Sequence, residues 1–231
     1  MVVGNGLIAK AFDPWYSKDD RFLVFASGVS NSGMADPAEF SREARLLEQT
    51  LQQHPEKTLA YFSTCSVYDA SLSNSPYVKH KLAMENLIRT SHTGYHIFRI
   101  SNLAGNTSNP NTFLNYFAQH IQSGSFFYLW HNTWRNVLDV TDLVAICNHI
   151  LQQGLYKNEI VNIANPISNK VEEIVNILET VLQKKGNYEL IEKTSKPLID
   201  TTIVQQLAPG LDIAFNEKYL FNIVKKYFAA L

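Results

Sequence analysis

The sequence predicts an α/β protein in which a parallel sheet carries helices on both faces. Short apolar runs alternate with segments whose apolar side chains recur at helical spacing, from the first residues to about residue 105. Such alternation is typical of β-α-β units, whose strands run parallel. Ligands of these proteins bind at the carboxyl ends of the strands, so the residues that follow each strand are the first candidates for a functional site.

The first part of the chain shows the alternation most clearly. Val2 and Val3 read as a strand that breaks into a glycine turn, after which LIAKAF opens a helix. Pro37 stands near the start of the next helix, a position that suits proline. The remaining predicted elements are strands at 21–27, 58–63 and 95–101 and helices at 37–53 and 76–89.

After residue 105 the pattern is looser. One short strand is predicted at 161–164, and residues 184–199 form a polar segment without a clear period. Apolar spacing favours helices at 112–122, 141–153, 170–182 and 216–231.

The composition agrees with a globular protein and excludes several other classes. Of the 231 residues, 45% are hydrophobic and 18% are charged, and the net charge is −1, so nothing indicates binding to nucleic acid or to an anionic membrane. No apolar run is long enough for a membrane span, and the stretch before the first element is too short for a signal peptide. Cys65 and Cys147 do not make a disulfide framework, so we expect a cytoplasmic protein.

The turn VVGNGLIAKA carries the first functional motif. Gly4, Gly6 and Ala9 match G-x-G-x-x-G/A between a strand and a helix. Gly4 would allow the tight turn, Gly6 would let the backbone approach a pyrophosphate, and Ala9 would allow close packing of the helix on the strand. A tight turn of this kind needs glycine even where nothing binds, so the turn alone leaves dinucleotide binding and a purely structural role open.

The stretch STCSVYDASLSNSPYVKHK carries the second. Tyr77 and Lys81 are four residues apart and therefore lie on one face of a helix. A nearby ammonium lowers the pKa of a phenol toward the range in which it exchanges protons. Thr64, at the end of the preceding strand, could bond the same substrate oxygen. For the pair alone an exposed helix face is the favoured interpretation, but together with the glycine turn upstream the pair favours an acid–base site for a carbinol–carbonyl pair.

Several motifs, in order along the chain, resemble the extended short-chain dehydrogenase/reductase family, in its nucleotide-sugar epimerase/dehydratase/reductase branch. The resemblance runs from Val2 to about Pro166, through GNGLIA, STCSVYD, YVKHK, FRISNLAG, RNVLDVTDLV and VNIANP. It implies a Rossmann-type doubly wound parallel sheet with a reduced C-terminal substrate lobe. It also implies NAD or NADP as cofactor, without distinguishing them, a nucleotide-sugar substrate and a homodimer.

The resemblance assigns roles to individual residues. Tyr77 is the general acid/base, Thr64 the catalytic hydroxyl, and Lys81 lowers the pKa of Tyr77 and contacts the nicotinamide ribose. Asn102 contacts the sugar nucleotide, Arg135 meets its pyrophosphate, and Cys65 and Ser66 stand at substrate-binding positions. The implied cofactor-binding residues are Gly4, Asn5, Gly6, Leu7, Ile8, Ser27, Ser63 and Lys81. Residues 1–105 would form the NAD(P)-binding core, and residues 106–231 the remaining core elements and a small substrate-binding lobe.

The sequence departs from the family pattern at the adenosine end. Only about a dozen residues separate the first helix from the second strand, and no acidic residue follows a strand where the family holds the adenosine ribose. Asp19 and Asp20 precede a strand instead. Lys10, Lys18 and Arg21 could meet a 2′-phosphate, but solvent exposure is the favoured role for each.

A second departure concerns the reaction. Dehydratases of the branch carry an Asp-Glu pair where this chain has Cys65 and Ser66, so dehydration is disfavoured, and Cys65 reads as a small buried residue.

Trp130 and Trp134 could stack on a base or sugar, or simply pack. His92 and His96 do not have metal-ligand context, because Gly94 and the start of a strand intervene.

Reduction of a nucleotide-linked keto-sugar is therefore the first expectation, and 4-epimerisation the second. A protein that keeps the fold only for NAD(P) binding or scaffolding is an alternative of a different class. The expected homodimer would pack the helices 37–53 and 76–91 of two copies together. Leu47, Leu51, Leu82 and Leu87 could form that interface or pack on the sheet.

Overall fold

The computed structural model describes residues 1–229 as alternating strands and helices. The strands are β1 Val2–Val3, β2 Phe22–Phe25, β3 Thr58–Thr64, β4 Tyr95–Ile100, β5 Asn102–Ala104, β6 Phe126–Asp139, β7 Glu159–Ile163, β8 Ser168–Lys170 and β9 Asn187–Ser195. The α-helices are α1 Leu7–Tyr16, α2 Pro37–Gln53, α3 Pro76–Ser91, α4 Phe113–Ser123, α5 Val140–Gln153, α6 Val171–Leu182, α7 Thr202–Leu207 and α8 Tyr219–Phe228. Residues 230 and 231, the end of the last predicted helix, lie outside the described residues.

The main sheet has five parallel strands in the order β1-β2-β3-β4-β7. Strands β2 and β3 are continuous apolar runs because both of their faces are covered. Successive residues of β2 enter opposite cores: Val24 packs with α1 and α5, while Leu23 and Phe25 pack with α2 and α3. Helices on both faces confirm the predicted doubly wound α/β fold.

A second, smaller sheet forms around β6, the longest strand. Strand β5 pairs with its carboxyl-terminal part in parallel, β8 in antiparallel, and β9 lies parallel to its first half. The polar segment predicted at 184–199 therefore contains a strand that the sequence pattern did not indicate. In β9 exposed residues alternate imperfectly with half-buried ones, so the apolar signal is weak.

Helix boundaries follow local chemistry. Asp36 caps α2 by accepting a bond from the Ala38 amide, and Pro37 takes the first helical position. Asp139 caps α5 in the same way through the Thr141 amide, so α5 begins before Asp142. No helix among residues 1–229 is both long and apolar enough to cross a membrane.

Candidate active site

A cleft of about 1200 Å³ opens at the carboxyl ends of β1 to β4, facing the smaller sheet. It is larger than the usual range of up to ~1,000 Å³ for a site that holds one small molecule, so it has room for two ligands side by side. Its lining includes the glycine turn, the ends of β2 and β3, part of α3, and the aromatic side chains of β6. All the residues proposed from the sequence for catalysis, cofactor binding and substrate binding line this one cleft.

The glycine turn has the geometry that a dinucleotide requires. Gly4 has a φ of +129°, and a Cβ there would clash with the carbonyl oxygen of Ala26, so only glycine fits the turn. A Cβ on Gly6 would meet no atom within 4 Å, because that side faces the cleft. Gly6 also precedes α1 without a side-chain cap, which leaves amides of the first turn free for a phosphate. These residues fit a pyrophosphate.

Asn5, Leu7 and Ile8 line the same end of the cleft, and Ser27 lines it at the end of β2. The Ser27 side chain accepts a hydrogen bond from Arg42 Nη1 at 3.4 Å, and its carbonyl accepts one from Arg42 Nη2 at 3.3 Å. Arg42 lines the cleft as well, so it brings a cation to this end. Sequence reasoning did not find Arg42, which stands on a helix otherwise typical of a surface.

The acidic pair after α1 lies away from the cleft. Asp19 binds Arg21 in an ion pair of 2.7 Å, and the Asp20 carbonyl accepts a bond from Lys57 at 2.5 Å, at the amino end of β2. Neither carboxylate is placed to hold a cofactor ribose. Lys10 and Lys18 are exposed to solvent and, like Arg21, do not line the cleft.

Tyr77 and Thr64 meet at the floor of the cleft. Thr64 ends β3, and its hydroxyl accepts a bond from the Ser66 amide at 3.0 Å, which caps the 3-10 helix Cys65–Tyr68. Tyr77 lies in the first turn of α3, and both side chains are buried. Burial raises the pKa of Tyr77 to about 12, while the Thr64 hydroxyl beside it acts in the opposite direction. The phenol is therefore protonated at neutral pH.

Lys81 lies one turn further along α3 but its ammonium points at a different partner from the one expected. Lys81 Nζ is 3.0 Å from Glu43 Oε1 and 3.2 Å from Tyr61 Oη, and it is 2% exposed. It does not lower the pKa of Tyr77 in this structure, because its charge is engaged by Glu43. The expected lowering is absent, and burial sets the pKa of Tyr77 instead.

Cys65 and Ser66 follow Thr64 and line the cleft. The Cys65 thiol donates to the carbonyl of Arg99 at 3.2 Å, and burial raises its pKa to about 12. A thiol in that state is neutral and a poor acid at neutral pH. It is the small buried residue that the sequence predicts.

Two other predicted site residues, Ser63 and Asn102, already form hydrogen bonds within the chain. The Ser63 hydroxyl donates to Glu85 Oε1 at 2.5 Å. Asn102 Nδ2 donates to the Asn136 carbonyl at 2.9 Å.

Arg135, on β6, reaches the cleft with 13% of its side chain exposed. Its Nη1 lies 3.4 Å from Asp69 Oδ2, and its guanidinium carbon lies 5.2 Å from the centre of the Trp130 ring. Lys193 Nζ, from β9, lies 3.8 Å from the same ring centre. Both residues and the ring line the cleft, so this wall joins an aromatic face to two cations.

Glu43, the buried partner of Lys81, is the residue of this region that sequence reasoning missed most clearly. It stands four residues before Leu47, so it shares the buried face of α2 with Leu47 and Leu51. A charged residue on an apolar face is a signal that it has a buried partner. That signal was present in the sequence, but it does not name the partner, which comes from another helix.

The histidines show no metal site. His92 Nε2 bonds the Lys57 carbonyl and His96 Nε2 bonds the Leu155 carbonyl, both at 2.9 Å. Among the described residues no group of three or more His, Cys, Asp or Glu side chains is arranged to hold a metal ion.

Sequence comparison identifies the family. The profile of the NAD dependent epimerase/dehydratase family matches residues 23–164, more than half of the chain. The chain belongs to this family. A comparison with curated proteins gave no match.

Solved structures share the fold of this family member at low sequence identity. RMD from Pseudomonas aeruginosa, complexed with NADPH, is 15% identical, with a TM-score of 0.74 over 99% of this chain and 98% of that one. UDP-glucose 4-epimerase from Thermus thermophilus, in complex with NAD, is 14% identical, with a TM-score of 0.72 over 96% and 80%. WbmG from Bordetella bronchiseptica, in complex with NAD and UDP, is 16% identical, with a TM-score of 0.68 over 96% and 77%.

Proposed function

We propose that this protein is an NAD(P)-dependent oxidoreductase that reduces a keto group on a nucleotide-activated sugar. The observation that carries the proposal is the meeting of Thr64, Tyr77 and Lys81 in a cleft that also contains the open glycine turn. Similar structures bind NADPH, NAD or UDP according to their descriptions, which supports a dinucleotide and a nucleotide-linked substrate in this cleft.

The cofactor would lie with its pyrophosphate at the start of α1, along Gly4 to Ile8, and extend past Ser63 toward Lys81. When bound, NAD(P)H supplies the hydride. Lys81 would contact the nicotinamide ribose, since its ammonium is the cation at that point of the cleft floor. The adenine end would be held by the β2–α2 region, where Arg42 and Ser27 lie together.

Tyr77 would donate the proton that the reduced oxygen needs. Its pKa of about 12 leaves the phenol protonated at neutral pH, and a protonated donor suits the reduction of a carbonyl. Thr64 would bond the same oxygen and fix its direction. The substrate would extend over Cys65 and Ser66 toward Asn102 and Arg135.

The wall formed by Trp130, Arg135 and Lys193 suits the nucleotide diphosphate. An aromatic ring can stack on a base or a sugar face, and the two cations beside it favour phosphate. The proposed substrate would therefore have an aromatic contact for its base or sugar and two cations for its phosphates.

The second candidate, 4-epimerisation, begins by removing a proton from a sugar hydroxyl, which requires tyrosinate. The raised pKa of Tyr77 favours reduction as the first choice over that step. Dehydration stays disfavoured, because the Cys65 thiol is bonded to a carbonyl and its pKa is also raised.

The test is a cofactor and substrate screen with the purified protein. Calorimetry with NAD(H) and NADP(H) measures binding, and loss of reduced-cofactor absorbance with nucleotide-linked keto-sugars measures reduction. Interconversion of UDP-sugars without net change in cofactor would instead support the epimerase. Cofactor binding with no turnover of any nucleotide sugar would contradict the enzyme and favour the binding or scaffold protein.

A further inference from the structure

Glu43 lies at the centre of a buried hydrogen-bond cluster directly behind the catalytic lysine. Its carboxylate is 0% exposed and accepts four bonds. The donors are the Val29 amide at 2.6 Å, Tyr61 Oη at 2.7 Å, His80 Nε2 at 2.9 Å and Lys81 Nζ at 3.0 Å. We call these five residues the Glu43 cluster.

The donors of the Glu43 cluster belong to separate parts of the fold. Val29 lies in the loop after β2, Tyr61 in β3, and His80 and Lys81 in α3, while Glu43 itself belongs to α2. A buried carboxylate is costly unless it is both paired and hydrogen-bonded, and here it is both. Lys81 supplies the compensating positive charge at 3% side-chain exposure.

The surroundings leave the Lys81 ammonium little freedom. Besides Glu43, it lies 3.2 Å from Tyr61 Oη and 3.4 Å from the Phe62 carbonyl. On the loop side, a Cβ on Gly28 would come within 2.5 Å of Lys81 Nζ and 2.9 Å of Glu43 Oε1. Gly28 therefore allows the backbone to close over the pair, and the lysine is fixed where it lines the cleft.

We propose that Glu43 is a positioning residue for Lys81: it fixes the lysine Nζ at the cleft floor and keeps it in the ammonium form. Glu43 does not itself need to touch substrate or cofactor. The catalytic consequence rests on the proposed function, whereas the electrostatic coupling of Glu43 to Lys81 can be tested without any turnover.

The charged and titratable groups around Lys81 set the direction of the effect. Burial lowers the pKa of Lys81, the Glu43 carboxylate raises it, Glu85 on α3 raises it less, and Arg42 on α2 lowers it. Tyr61 is the titratable group that faces Lys81 from β3, and burial keeps its phenol neutral by raising its pKa. Removing the Glu43 charge therefore leaves burial opposed only by the weaker effect of Glu85, and the pKa of Lys81 falls.

Competitive acetylation measures this directly. Trace acetic anhydride is added over a pH series, and mass spectrometry of the Lys81 peptide gives the midpoint at which the amine becomes reactive. An opposite charge in contact is worth about 1–3 pK units, so the midpoint in Glu43→Gln should fall by about that much. Glu179→Gln is the matched control, because Glu179 is also buried but is bonded to Lys185 and Gly186. Its Lys81 midpoint should equal that of wild type.

Two further variants keep the test decisive. Glu43→Asp retains the charge, so its Lys81 midpoint should return toward wild type even if packing suffers. If Glu43→Gln does not fold, Tyr61→Phe removes one donor to Glu43 and one acceptor for Lys81, and it should lower the midpoint by a smaller amount. An unchanged midpoint in Glu43→Gln, or in Tyr61→Phe where Gln does not fold, overturns the proposal.

Activity then separates this inference from the proposed function. If the protein reduces a keto-sugar, the alkaline limb of kcat/KM in Glu43→Gln should move to lower pH by the same amount as the Lys81 midpoint. A merely structural role would lower kcat/KM at every pH without moving that limb, and would contradict the proposal. If no nucleotide sugar is turned over but the midpoint falls, the proposed function fails and the positioning role stands.

Discussion

Arg135 Nη1 lies 3.4 Å from Asp69 Oδ2, and this contact joins the smaller sheet to the loop that follows β3. Asp69 is 3% exposed and also accepts a bond of 2.8 Å from Ser195 Oγ, in β9. Through its other contacts it caps a short 3-10 helix at the Ser71 amide. A single carboxylate therefore connects the floor of the cleft with its outer wall.

Asp69→Asn should reduce the free energy of unfolding by about 3 kcal/mol, because it leaves a largely buried guanidinium without its counter-charge. Asp200→Asn is the matched control: Asp200 also accepts a hydrogen bond from an amide two residues further on, that of Thr202 at 2.9 Å, but it is exposed. Asparagine accepts such a bond about as well as aspartate, so the control should change by less than ~0.5 kcal/mol. Urea denaturation measures both, and equal losses would show that the Arg135 contact adds nothing.

Gly6→Val should abolish binding of NAD(P) and leave the fold intact. The new side chain enters open space on the cleft side, where the pyrophosphate is proposed to lie. Gly4→Ala tests the other glycine, and it should destabilise the protein because of its φ of +129° and its contact with Ala26. Calorimetry and thermal melting separate the two effects. Equal NAD(P) affinity in wild type and Gly6→Val would contradict the proposed cofactor site.

Tyr77→Phe should lower turnover by ~10² to 10⁴ while cofactor affinity barely changes, since general acid–base catalysis contributes about that much and the ring is kept. The measurement is a pH–rate profile of the wild type beside the variant. Unchanged turnover in Tyr77→Phe would contradict the proposed mechanism.

Lys81→Met should weaken cofactor binding and also destabilise the fold. Breaking a buried ion pair by removing one partner costs roughly 3–5 kcal/mol, and here it strands the Glu43 carboxylate. The loss should be largely relieved in the double variant Lys81→Met with Glu43→Gln, measured by urea denaturation. A double variant whose loss equals the sum of the losses of Lys81→Met and Glu43→Gln would show that the two side chains are not energetically coupled.

The free energy of unfolding of the wild type should depend on pH at acid values because of Glu43. Burial raises the pKa of Glu43, but bonds from His80, Tyr61 and the Val29 amide and the charge of Lys81 outweigh it and bring the value to about 2. A folded pKa below the unfolded value of 4.5 means that this stability is present above about pH 4.5 and is lost as pH falls toward 2. The shift corresponds to about 3 kcal/mol.

Glu43→Gln removes that titration, so the stability gap between wild type and variant should shrink by about that amount between neutral pH and about pH 2. Urea denaturation along the pH series measures it. A gap independent of pH would mean that Glu43 titrates alike in the folded and unfolded chain.

We expect a homodimer that pairs α2 and α3 of two copies. Leu47 and Leu51 pack on the sheet and cannot form its interface, whereas Leu82 is 42% exposed and Leu87 is half-buried. Leu82→Glu should therefore give a monomer, while Leu198→Glu, at an 81% exposed leucine outside α2 and α3, should not. Light scattering at micromolar concentration measures the mass, and a monomeric wild type would contradict the prediction.

Much of the fold follows from local pattern. Strand β3 is a continuous apolar run, α2 has Pro37 at its start, and both occur where the sequence predicts them. Strand β9 was not predicted from the sequence. It lies at the edge of a small sheet, and its pairing with β6 depends on residues about sixty positions away. Long-range pairing of half-exposed residues leaves little trace in a local window.

The candidate site shows the same division. Gly4, Gly6, Tyr77 and Lys81 follow from spacing and from what glycine or a helix face permits. The partner of Lys81 does not, because Glu43 comes from another helix and its burial is a product of tertiary packing. The sequence therefore predicts many of the groups that line the cleft, but neither Arg42 nor Lys193, and only the structure shows which groups bond one another.

Glu43 is enclosed by its donors. Amino-acid substitutions at Glu43 and Lys81 during evolution are therefore limited by the stability of the fold as well as by chemistry. A lineage that had lost its reaction would still keep Lys81 for as long as Glu43 stayed buried, since losing either partner alone unbalances the interior. The fold does not require the Tyr77 hydroxyl in this way, because phenylalanine would fill the same space. Under the proposed mechanism, diverged copies of this chain that keep the Tyr77 oxygen are the ones expected to catalyse the reaction, whereas the lysine is expected in active and inactive copies alike.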